Sequence, residues 1–74
     1  MSYDPARVRQ LRGEVDHHRR EVMDINAALR VSQPWAIKRQ LKLRRLTLSR
    51  IIRTKEAELA AQEQERRRTG RNPA

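Results

Sequence analysis

A chain of 74 residues and 8.8 kDa has material for one small domain and too little for an extensive core. Hydrophobic and charged residues each make up 36%, aromatics 3%, and Cys and Phe are absent, which excludes a disulfide scaffold, a thiolate metal site and an aromatic-rich β-sandwich or barrel. Eighteen Lys and Arg against nine Asp and Glu give a net charge of +9, with a pI near 11.6 and a mean hydropathy of -1.00. No apolar run approaches a membrane span and no signal peptide opens the chain, so the expectation is a cytoplasmic protein away from membranes.

The first element is announced by Asp4-Pro5, a side-chain acceptor at an N-cap followed by a proline where its missing N–H costs nothing. From there Val8, Leu11, Val15, His18, Val22, Ile25 and Leu29 alternate spacings of three and four, which is an unbroken heptad seam. Gly13 falls on the outward side of that seam. The pattern predicts helix 1 over about 4–31. It stops at Ser32-Gln33-Pro34, read as a tight turn over 32–34 because proline disfavours helix for the residue before it.

No glycine or proline follows Pro34 until Gly70, so helix 2 is expected over about 34–68. Its main apolar stripe is Ile37, Leu41, Leu48, Ile52 and Leu59, with Ile51 beside it. A short turn folds the two helices back antiparallel, setting Leu29 opposite Ile37 and Val8 opposite Leu59. The fold class expected is therefore all-α, an antiparallel two-helix hairpin over residues 1–68 with a flexible tail over 69–74. Residues beyond about 61 have no counterpart in helix 1, and that end is expected to fray.

Helix 2 also carries Leu43 and Leu46 almost opposite Leu41 and Leu48 on the helical wheel, and one partner helix cannot cover both sides. Leu43, Leu46 and Trp35 are thus candidates for a partner interface, with self-association into a bundle expected. Trp35 itself is read first as a cap on the turn end, packed on Leu29 or Val31, and second as an exposed anchor.

The charge is concentrated. Residues 1–24 hold five basic and five acidic side chains, residues 56–74 hold four of each, and all nine excess charges lie in 25–55. These are Arg30, Lys38, Arg39, Lys42, Arg44, Arg45, Arg50, Arg53 and Lys55, with no acidic residue among them. Such a stretch calls for an anionic partner or a fully solvated face. On the wheel Lys38, Arg39, Lys42, Arg45, Arg50 and Arg53 share a broad face turned away from the main stripe. These six are the candidate nucleic-acid-binding residues, and a face of cations without Asn or Gln suits phosphates more than base edges. The competing expectation is a non-enzymatic adaptor that docks on an acidic protein surface through Leu43 and Leu46.

The segment Leu41-Lys42-Leu43-Arg44-Arg45-Leu46-Thr47-Leu48-Ser49-Arg50-Ile51-Ile52 resembles the LKRRKLxLKDEI signature of the YdcH-like family of short bacterial two-helix proteins. His18 followed by Ile25 is similar to that family's first-helix segment, and Pro34 falls where its members often carry a linker proline. The likeness spans roughly residues 8–60, with Arg50-Ile51 standing where the family has an acidic pair. What the resemblance implies is the hairpin; it implies no activity.

Catalysis has no visible residues. Leu11-Arg12-Gly13-Glu14-Val15-Asp16 is similar to the opening of helical chorismate mutases, but two helices leave no room for an enclosed pocket and residues 25–55 offer no carboxylate. His17 and His18 are neighbours, about 100° apart on a helix, so they cannot share a metal as an i, i+4 pair does. No cofactor or metal is expected. A helix-turn-helix is excluded because the only break, Ser32-Gln33-Pro34, separates two long helices rather than a short helix and a recognition helix.

Overall fold

The computed structural model describes residues 3–70 and contains two helices, α1 (Pro5–Arg30) and α2 (Trp35–Gly70), packed on one another. They form a rod of 62 × 15 × 14 Å. The antiparallel hairpin expected from the seam is therefore the fold.

Both helix starts follow from local chemistry. The Asp4 side chain accepts from the backbone N–H groups of Ala6 and Arg7 at 3.1 and 3.3 Å, with Pro5 behind it. These bonds satisfy donors that have no acceptor inside the helix. α1 ends when Val31 turns extended (φ -89°, ψ 144°) and donates its N–H to the Ala28 carbonyl at 3.2 Å, a carbonyl that also accepts from the Gln33 amide at 3.2 Å. Pro34 is one position earlier in helix geometry than its sequence suggests. Its carbonyl accepts the Lys38 N–H at 3.1 Å, so it caps α2 and Trp35 is the first helical residue. The link is thus 31–34, one residue longer than predicted, and α1 is correspondingly shorter.

The core is a single seam. Val8, Leu11, Val15 and Ile25 from α1 and Leu48 from α2 are buried, with Leu11 and Leu48 at 0% exposure. His18, Val22 and Leu29 complete the α1 seam but are half-buried, as are Leu41, Ile52 and Leu59 on α2. Ile37 departs from the prediction: it is 44% exposed, because α1 has ended before it can cover the first turn of α2. The helix register is held by polar bonds that step outward from the turn, from Asn26–Arg45 through Glu21–Arg44, Glu14–Lys55 and Arg7–Glu58 to Asp4–Gln62.

The far end of α2 also differs from expectation. Gln62 Oε1 accepts the Asp4 N–H at 3.0 Å, and helix continues through Gly70 rather than stopping near 68. Local ion pairs line this end, Glu63 with Arg66 (3.6 Å) and Arg67 (3.8 Å), and Glu65 with Arg68 (2.5 Å). They lie at the i, i+3 and i, i+4 spacings that support a helix. The predicted tail falls partly in α2, at 69–70, and otherwise outside the described residues. Among the described residues no helix is long and apolar enough to cross a membrane.

Gly13 sits in the middle of α1 with nothing within 4 Å of the place a Cβ would occupy. Gly13→Ala should therefore raise stability by about 0.5–1 kcal/mol through propensity alone. Urea unfolding followed by circular dichroism checks this, and a lower midpoint in the variant would contradict an open, regular helix at that position.

Candidate functional site

The outer face of α2 is fixed by how its inner face is spent. Facing α1, Arg44 donates to Glu21 at 3.1 Å, Lys55 pairs with Glu14, and Arg7 of α1 makes a two-pronged bond to Glu58 at 2.6 and 3.1 Å. Arg19 reaches Glu56 at 2.7 Å. These contacts hold three carboxyls below the ordinary carboxylate range: Glu58 through the hydrogen bond from Arg7, Glu14 through that from Lys55, and Glu21 through that from Arg44. The same Glu58 bond raises the already high pKa of Arg7. The acids within reach are thus occupied on the inner side.

Of the six cations expected to share one outer face of α2, five do. Lys38, Arg39 and Lys42 line one groove together with Trp35, Leu43 and Leu46. Arg50 is exposed further along, and exposed Arg53 stands at the rim of a second groove lined by Val22, Met23, Ser49 and Ile52. Arg45 is the exception. It is half-buried and donates to Asn26 Oδ1 at 2.8 Å, because it lies only about 60° around the helix from Leu48 and so faces the flank of α1. It stitches the hairpin together and is only partly open to solvent. Among the described residues no carboxylate lies within ion-pair distance of Lys38, Arg39, Lys42, Arg50 or Arg53.

Trp35 is not a cap. It is 73% exposed, and Val31, one of the residues it was expected to pack on, is exposed as well. Helix geometry sets Trp35 about 140° around α2 from Leu48, away from α1. Its neighbour there is Arg39, whose guanidinium carbon lies 5.5 Å from the centre of the indole ring, within range of a cation–π contact. Leu43 and Leu46, at 55% and 49% exposure, continue the same surface. The apolar patch and three of the cations, Lys38, Arg39 and Lys42, therefore form one surface, not two. The spacing 35, 39, 42, 43, 46 carries that information, since it is the i, i+4, i+7, i+8, i+11 pattern of one helix face.

Elsewhere the side chains suggest no chemistry. His18 lies in the seam with its Nδ1 buried, 3.5 Å from Glu21 Oε1 and without a hydrogen bond, and its ring is 5.7 Å from that of His17. Among the described residues no three His, Cys, Asp or Glu side chains gather where they would hold a metal ion. No family model, curated protein or solved structure matches this chain.

The lowered carboxyls make stability depend on pH in a fixed direction. A carboxylate whose pKa is depressed in the fold stabilises it above the unfolded pKa, and that contribution is lost as pH falls through the carboxylate range. The melting temperature in low salt should fall as pH drops from about 5 to 3, and Lys55→Gln should flatten the fall by removing the main partner of Glu14. A melting temperature that rises on acidification would contradict the assignment.

Proposed function

We propose that this chain is a small nucleic-acid-associated protein that grips phosphate backbones through the outer face of α2. The observation that carries the reading is the set of five cations, Lys38, Arg39, Lys42, Arg50 and Arg53, on one side of a rigid helix and without carboxylate partners among the described residues. From Lys38 to Arg53 they extend over about 22 Å of helix at 1.5 Å per residue. Arg50 and Arg53 bring the planar, always charged guanidinium that suits phosphate oxygens.

The start of α2 adds to this. No acidic residue occupies its first turn, and Lys38 and Arg39 follow immediately. Cations at the positive end of a helix dipole are unfavourably placed. A phosphate near Trp35–Ile37 offsets both the dipole and the mutual repulsion, and it meets backbone N–H groups that have no acceptor within the helix. Binding of this kind fixes position without reading sequence. A cytoplasmic location, where nucleic acid is abundant, belongs to the same reading.

A second reading, docking on an acidic protein surface, is favoured by the exposure of Leu43 and Leu46. Self-association through this face is less favourable, since a second copy would bring its own cations against Arg39, Lys42 and Arg50.

If the five cations each neutralise a phosphate, the logarithm of the binding constant should fall with the logarithm of salt concentration at a slope of roughly -3.5 for single strands to -4.5 for duplex. Lys42→Glu with Arg50→Glu should weaken binding to all sequences alike and reduce that slope by about 2, with helix content unchanged. Arg45→Gln, which touches only the bond to Asn26, should leave the slope as it is. Fluorescence anisotropy over a salt series measures all three. Binding insensitive to salt would overturn the proposal.

A further inference from the structure

The free cations do not form a plain charged stripe, since their N-terminal half surrounds Trp35, Leu43 and Leu46. A duplex would lay sugar and phosphate over that patch, leaving an indole and two leucines buried against anions with no gain from apolar contact. An unpaired strand offers what the patch lacks, namely flat base faces for the indole and phosphates for the surrounding cations. Resting on the phosphate-binding reading, we infer that the preferred ligand is single-stranded nucleic acid, with a base stacked on Trp35.

Three features of the groove support this occupant. Its volume is about 340 Å³, at the small end of ligand-sized pockets, which suits one or two bases better than the flank of a partner helix. The Arg39 guanidinium already lies over the indole, so a planar cation stands beside the ring where the next phosphate or base would pass. The charge on the rim is wholly positive: Lys38, Arg39 and Lys42 enclose the apolar floor and no acid does. That complementarity selects an anionic ligand and repels a second copy of this face. An acidic amphipathic peptide also satisfies the sign of the charge, but a groove of about 340 Å³ accommodates little of a helix face. It is accordingly kept as a contrary outcome of the test.

Trp35 is the sole tryptophan of the chain, so its fluorescence reports on this site alone. The intact protein is titrated at low salt with a single-stranded dT oligomer, with a duplex of the same length, and with a strand of the same length whose central sugars lack bases. The dT oligomer should bind most tightly and quench the indole, and the abasic strand should bind more weakly with little quenching. Trp35→Ala should lower dT affinity by about tenfold while changing duplex affinity less than twofold, and Trp35→Phe should restore most of the loss. Because Trp35 is 73% exposed, these variants should keep their helix content, which circular dichroism verifies. Equal binding of dT and abasic strands without quenching would overturn the stacked base while leaving phosphate binding in place. Binding of none of the three, with or without capture of an acidic amphipathic peptide, would overturn both.

Discussion

Two helices can close over only one stripe of each partner, and α2 is apolar on more than one. α1 buries Leu48 completely and shelters Leu41, Ile52 and Leu59 in part, and it has no surface left for Leu43, Leu46 or Trp35. The carboxylates that bridge the two helices are committed as well. Glu14 and Glu21 of α1 engage Lys55 and Arg44, while Glu56 and Glu58 of α2 are drawn back to Arg19 and Arg7. The outer face of α2 is therefore what a two-helix fold leaves over, carrying both uncovered apolar area and uncompensated positive charge. The proposed activity follows from that remainder rather than from any enclosed site.

The cross-helix polar bonds carry unusual weight because so little is buried. A hairpin of this size has little hydrophobic stabilisation to set against chain entropy. Surface ion pairs usually contribute modestly, yet here they serve a second purpose. Each one fixes the rotation of α2 about its axis, and that rotation decides which cations face solvent. Arg45 illustrates the point, since its bond to Asn26 both pins the turn end of the hairpin and withdraws one charge from the outer face.

Much of this was legible in the sequence, and the exceptions have physical reasons. The alternating spacing of Val8 to Leu29 identified α1 because a heptad seam has few other interpretations, and Asp4-Pro5 marked its start to within a residue. The helix boundaries near the turn were less legible. Pro34 serves equally well as N-cap or first helical residue, and the two differ only in whether the i, i+4 bonds of α2 begin at its own carbonyl, as they do here with the Lys38 N–H, or one residue earlier. The wheel gave the direction of the cationic face but treated Arg45 as free, because the amide that binds it, on Asn26, belongs to the other helix and carries no charge to flag it. Trp35 was misplaced for a different reason. An aromatic beside a turn invites a capping role, whereas the angular offset of Trp35 from Leu48 along α2 turns it away from α1.

The central claim is that ligand contact is confined to the outer face of α2, centred on Trp35. The most direct measurement is a backbone and indole NMR titration of the intact protein with a short single-stranded oligonucleotide at low salt. The account predicts that the indole N–H of Trp35 and the signals of Lys38, Arg39, Lys42, Leu43, Leu46 and Arg50 shift together, with the outward positions Arg9, Gly13 and Asp24 on α1 unmoved. Shifts concentrated on α1, or none at all at protein concentrations of about 100 μM (a level that detects even non-specific nucleic-acid affinities), would contradict it.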